Sequence, residues 1–127
     1  MTHLARDMTE ALRELARGAE ARAAELDAQR RLPRDLADAL IDTGVFRSWV
    51  ARKYGGLESH PLALYEAIEQ VSYFEASMGW VVMVCGTSAR LSGLLPVRFA
   101  EEIFGDPRAV AGGFVGAMGP HERSPEA

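Results

Sequence analysis

The chain has 127 residues, with 14 Lys and Arg against 18 Asp and Glu, for a formal net charge of −4. That length suits one domain burying roughly two-thirds of its unfolded surface, and the acidic balance excludes the basic face with which proteins displace counterions from nucleic acid. Its 48% hydrophobic and 25% charged residues are those of an ordinary soluble globular protein.

The single cysteine, Cys85, cannot form an internal disulfide and lies in an apolar stretch, which suits a reducing compartment. Arg6, Asp7, Glu10, Arg13 and Glu14 interrupt the N-terminal leucines, so no secretory h-region is expected. The most apolar run, residues 78–85 and a little beyond, falls short of the roughly 20 residues that span a bilayer. A cytoplasmic protein is the expectation.

Leu4, Met8, Leu12, Leu15, Ala19 and Leu26 recur at helical spacings, which predicts one long helix ended by Leu32-Pro33. Gly18 is a weak point in it, worth about 1 kcal/mol relative to Ala. Pro33 suits the first position of a second helix with Leu36, Ala37, Leu40 and Ile41 as its stripe. Gly44 can close that helix in the left-handed conformation, with Val45 touching back on Leu40.

Residues 46–60 read as an irregular connector in which Tyr54-Gly55-Gly56 supplies a turn requiring positive φ. Pro61 restarts helix, with Leu64, Tyr65, Ile68, Val71 and Ser72 along one side. Ser77 is the expected N-cap of the next helix, residues 78–93, which is uncharged before Arg90 and apolar around most of its circumference. Such a helix belongs in the middle of an up-and-down bundle, buried by Leu36, Leu40, Phe46, Ile68 and Phe99. Pro96 opens a short helix with Phe99 and Ile103 inward, stopped by Gly105-Asp106-Pro107. Residues 109–115 fit a short strand, and the polar, proline-interrupted residues 120–127 a frayed tail.

The chemistry-bearing residues are few. Trp80, beside Gly79, is either a core tryptophan or an indole edging a flat aromatic cofactor. Ser88, about two helical turns later, either bonds its own helix backbone or reaches the same face. His3, His60 and His121 are widely separated, without metal-ligand spacing, and His60 before Pro61 is most simply a cap. Glu101-Glu102 diverge on a helix surface, and Arg52-Lys53 form a small basic turn that is surface or an anion contact. Residues 112–119 are glycine-rich, but they are not a dinucleotide fingerprint. They suit a strand and loop whose backbone approaches a ligand closely. No nucleophile, base and orienting acid assemble.

In order and spacing, several pieces over residues 32 to about 119 resemble the N-terminal helical domain of the acyl-CoA dehydrogenase superfamily. They are Leu32-Pro33 before Leu36, Gly44-Val45-Phe46, Tyr54-Gly55-Gly56-Leu57, Ser77-x-Gly79-Trp80, Leu95-Pro96 and Ile103-Phe104-Gly105-Asp106-Pro107. Ser77-x-Gly79-Trp80 and the loop from Phe114 to Gly119 resemble the superfamily's flavin-dependent monooxygenase branch. Acyl-CoA dehydrogenases proper usually carry an Asp-x-Gly-type segment there.

The resemblance implies an all-α bundle, residues 1–107, followed by the opening strand and loop of a β-domain, residues 108–119, and the tail. It implies a flavin, FAD or FMN, in the complete enzyme, with Trp80, Ser88, Phe114, Met118 and Gly119 as its contacts, no metal, and no catalytic residue in this chain. A histidine often stands where this chain has Ser88, and a serine hydroxyl cannot replace it as a base near neutral pH without an activating partner. The family's β-domain and C-terminal bundle lie beyond the matched span. The implied partners are therefore a complementary chain, or self-association, and a small-molecule substrate of the complete enzyme. Alone, the chain is expected to be inactive and to expose apolar surface around Trp49, Val50, Phe114 and Val115. The alternative is a non-catalytic helical interaction or assembly module derived from the same family.

Overall fold

The computed structural model describes residues 3–113. Six α-helices follow in chain order: α1 (His3–Glu20), α2 (Ala23–Gln29), α3 (Arg34–Asp42), α4 (Pro61–Phe74), α5 (Ala76–Ser88) and α6 (Val97–Phe104). Three 3-10 turns, Val45–Arg47, Arg52–Tyr54 and Ala89–Gly93, complete an all-α architecture. Residues 109–113 carry no regular structure, and the rest of the expected strand lies outside the described residues.

On α1, Met8, Leu12, Ala16 and Ala19 are buried at helical spacings and pack with Leu64, Ala67 and Val71 of α4. The Arg13 guanidinium joins the two helices by donating from Nε and Nη2 to Gln70 Oε1, at 3.1 and 3.0 Å. The single long helix expected up to Leu32-Pro33 is instead broken at Ala21-Arg22. There the Arg22 guanidinium binds Glu25 at 2.7 Å and Asp35 of α3 at 2.5 Å. The bend accompanies entry of Leu26 into the core. α2 then ends at Arg30, a left-handed cap with φ 51° although it is not glycine.

Pro33 stands at the N-cap of α3, one position earlier than expected, and Leu36 and Leu40 face the core. Gly44 adopts φ 78°, as its position predicted, and Val45 is buried in the same cluster as Leu40. The connector to α4 is ordered by a buried cation. Arg47 donates to the carbonyls of Tyr54, Phe104 (3.0 Å) and Asp106 (3.2 Å), clamping the connector to the end of α6. Burial lowers the Arg47 pKa, and the nearby Asp106 charge opposes that shift.

His60 caps α4 as expected, its Nδ1 accepting the Leu62 N–H at 3.3 Å. Tyr65 departs from the predicted inward side and faces outward, since Leu64, Ala67 and Val71 occupy the contact with α1. Glu75, not Ser77, caps α5. Its carboxylate accepts both the Met78 N–H and the Ser77 hydroxyl, and an ionised acceptor makes the stronger bond at a helix N-terminus.

α5 packs chiefly on α4 and on the Val45–Arg47 turn, and it gives way to the 3-10 turn after Ser88. Met78 and Val82 are buried with Leu36, Leu40 and Phe46, and Ile68 packs against that cluster. The opposite side is open: Trp80 is 65% exposed, so the helix is not enclosed all round and Trp80 is not a core tryptophan. Phe99 contributes nothing to this core. On α6 the inward pair is Ala100 and Phe104, while Phe99 and Ile103 point outward at 40% and 45% exposure. The two stripes are one residue apart, and Arg47 holding the Phe104 carbonyl selects between them. Val50, expected at the surface, is 1% exposed because it joins Tyr54, Ala89, Ala100 and Phe104 in a second small core. Glu101, Glu102, Arg52 and Lys53 are exposed. No helix among the described residues is long and apolar enough to cross a membrane.

Candidate functional site

The open side of α5 forms a groove. The connector supplies Trp49, α4 supplies Tyr65, and α5 with the turn after it supplies Met83, Val84, Thr87, Ser88, Arg90 and Leu91; Gly113 closes one end. The concavity measures about 530 Å³, the size of a small-molecule site. Trp49 and Tyr65 meet edge to face, with centroids 5.8 Å apart and planes at 88°. That geometry fixes two aromatic walls.

The two aliphatic hydroxyls in the groove are committed to their own helix. Thr87 Oγ1 donates to the Met83 carbonyl and Ser88 Oγ to the Val84 carbonyl, each at 2.7 Å, leaving lone pairs as acceptors. Ser88 thus makes the backbone bond read for it from the sequence. Gly113 runs so close that a Cβ there would lie 2.7 Å from Ser88 Oγ. The close approach is to a side chain of α5, whereas the expectation was of a backbone close to a ligand. Trp49 Nε1 is buried with no hydrogen-bond acceptor among the described residues. Arg90 is the one formally charged residue among those described as lining the groove, and its Nη1 donates to the Thr87 carbonyl at 3.0 Å.

Trp49 and Arg90 also wall an adjoining concavity of about 400 Å³, completed by Ala51, Glu58, Ser59, Pro61, Ser92 and Gly93. Glu58, with φ 46°, holds its carboxylate on the Arg52 N–H at 2.9 Å. Ser92 Oγ accepts the Ala51 N–H at 3.0 Å.

Trp80 lines a different concavity, of about 430 Å³, with Leu26, Asp27, Arg30, Arg31, Leu32, Ser77 and Val81. Trp80 and Ser88 are therefore not brought together. Eight residues of α-helix amount to a rise of about 12 Å and a rotation of about 80° beyond two turns, enough to place the two on different grooves. Phe114, Met118 and Gly119, the other expected cofactor contacts, lie outside the described residues. No group of three or more His, Cys, Asp or Glu suited to a metal ion occurs among the described residues.

Sequence reasoning passed over Trp49, Tyr65 and Arg90 as site residues. The available signal was Arg90 as the first charge after Glu75. Nothing local links it to Trp49 or Tyr65, which arrive from other segments.

The fold has a family. The model of the acyl-CoA dehydrogenase, N-terminal domain, matches residues 2–96, and the chain belongs to that family. Its relatives lie in the monooxygenase branch. It is 41% identical over 86 residues to the indole-3-acetate monooxygenase of Pseudomonas putida, covering 68% of this chain and 22% of that protein. It is 31% identical over 85 residues to the flavin-dependent monooxygenase, oxygenase subunit HsaA, of Rhodococcus jostii (strain RHA1), covering 67% and 22%. With the indole-3-acetate monooxygenase of Acinetobacter baumannii the identity is 34% over 82 residues, covering 65% and 21%. The chain thus spans about a fifth of the length of the curated relatives it matches.

Proposed function

We propose that this chain is the N-terminal helical domain of a flavin-dependent monooxygenase acting on a small aromatic substrate. On this reading residues 1–107 form the helical domain, 108–119 open a β-domain and 120–127 are a tail. The observation that carries it is the groove along α5, walled by the edge-to-face pair Trp49 and Tyr65. An aromatic ring gains from such walls beyond simple area burial. The names of the relatives, two of them indole-3-acetate monooxygenases, support the same class.

The flavin, FAD or FMN, would supply the activation of dioxygen when bound. A flat ring needs a flat apolar wall, and the exposed Trp80 indole beside Val81 offers one. Ser88, whose hydroxyl donates to the Val84 carbonyl, is suited to accept a hydrogen bond and not to remove a proton. The described concavities are walls rather than enclosures, whereas a cofactor site surrounds most of its ligand. On this reading the chain by itself would neither retain flavin nor turn over substrate.

The outer face of α6, with Val97, Phe99 and Ile103 exposed, supports docking of a further domain or chain. The same face favours the second reading, a non-catalytic assembly module. Joined to a family β-domain and C-terminal bundle, the chain should yield a yellow protein that hydroxylates an aromatic compound when given reduced flavin and dioxygen. The isolated chain should show no flavin absorbance. A colourless assembly without hydroxylation would leave the assembly module as the reading.

A further inference from the structure

We infer that the groove selects an aromatic acid, with Arg90 as the residue that holds its carboxylate. The inference rests on reading the groove as the substrate site. Its argument is the distribution of charge. Trp49, Tyr65, Met83 and Leu91 present aromatic and aliphatic surface, and Arg90 is the sole formal charge among the described residues that line the concavity. A neutral aromatic ring would need no such charge beside it.

Arg90 is held for this role. Its Nη1 is fixed on the Thr87 carbonyl at the end of α5, where the helix dipole favours a cation. One hydrogen bond spent there leaves the other guanidinium N–H groups to present a fork to a carboxylate. No carboxylate of the protein is paired with Arg90 in the structure's ion pairs among the described residues. On the far side of Trp49 and Arg90, the adjoining concavity carries Glu58. Its negative charge disfavours an anion in that half and directs the acid to the α5 half.

The test is a titration of the full chain with phenylacetate and with its neutral isostere phenylacetamide, read from the indole N–H resonances. There are two tryptophans, and Trp80→Phe assigns them. Phenylacetate is expected to move the Trp49 resonance saturably and to bind at least about tenfold tighter than the amide, the size expected of a charge-assisted pair. Arg90→Gln should abolish that preference, and Arg90→Lys should keep part of it. Arg90 is exposed, so each variant should keep the wild-type circular dichroism and melting temperature. Equal binding of acid and amide would overturn the inference. So would a preference for the acid that survives Arg90→Gln, or the lack of any saturable response. The titration involves no flavin, so its failure and that of the flavin assay are separate results.

Discussion

A Cβ added to Gly79 would lie 2.0 Å from Ser72 Oγ and 2.9 Å from Ser72 Cα, so α4 and α5 meet at a distance only glycine permits. Gly86, seven residues on, repeats the relationship against Leu64 Cδ1 at 2.9 Å. Gly79→Ala should therefore destabilise the domain by about 1–3 kcal/mol through overpacking. Gly18→Ala is the matching control, with nothing among the described residues within 4 Å of its added Cβ, and should stabilise α1 by about 1 kcal/mol. Urea midpoints of opposite displacement would bear this out. A neutral Gly79→Ala would show that the seam relaxes.

Arg47 reinforces the contact of two segments that also share the second core, because its guanidinium serves the carbonyls of Tyr54, Phe104 and Asp106. Arg47→Met keeps much of the volume and removes every donor. A loss of about 2–4 kcal/mol is expected, since buried carbonyls are left unsatisfied. Hydrogen exchange should quicken first in α6 and in the Arg52–Tyr54 turn, leaving the α1–α4 contact protected. Uniform quickening would mean that the clamp supports the whole core.

Arg22 holds the Glu25 and Asp35 carboxyls below their ordinary range, and Arg34, with a smaller contribution from Arg108, does the same for Asp38. A carboxylate depressed in the folded state contributes stability that is complete above its unfolded pKa, about 4. That stability is lost as pH falls through the lower folded value. Melting temperature should therefore hold from neutrality to about pH 5 and then decline. These groups are exposed, so about 1 M salt should flatten the decline. Arg22→Gln should shrink it, and an unchanged acid limb in that variant would remove Arg22 from the explanation.

Trp80 at 65% exposure makes a further expectation simple. In a Trp49→Phe background its emission should be red-shifted and readily quenched by acrylamide. Trp80→Ala should change stability by less than about 0.5 kcal/mol, as surface substitutions do. If the full flavoprotein with Trp80→Ala loses flavin or substrate affinity while keeping its melting temperature, the indole serves the ligand. Blue-shifted, protected emission from the isolated chain would return it to the core.

By itself the sequence determined the features that local chemistry settles. The helical class follows from apolar spacing, the positive φ at Gly44 and Gly55 from the lack of a Cβ, and the start of α4 from His60 before Pro61. These need only dihedral sterics and hydrogen bonds within a few residues. The order of the motifs likewise led to the family before any contact was known.

Tertiary structure decided what depends on partners distant along the chain. Both Phe99 with Ile103 and Ala100 with Phe104 have helical spacing, and only the second core together with the Arg47 clamp turns the latter pair inward. The same holds for the break at Ala21-Arg22, set where Arg22 reaches Asp35, and for the outward turn of Tyr65. The candidate site is the extreme case. Trp49, Tyr65 and Arg90 come from a connector, a helix and a 3-10 turn, and meet where α4 and α5 pack together, with Gly86 against Leu64 beside Tyr65. No periodicity encodes that meeting, since a groove is the space left by packing and not a property of any one segment.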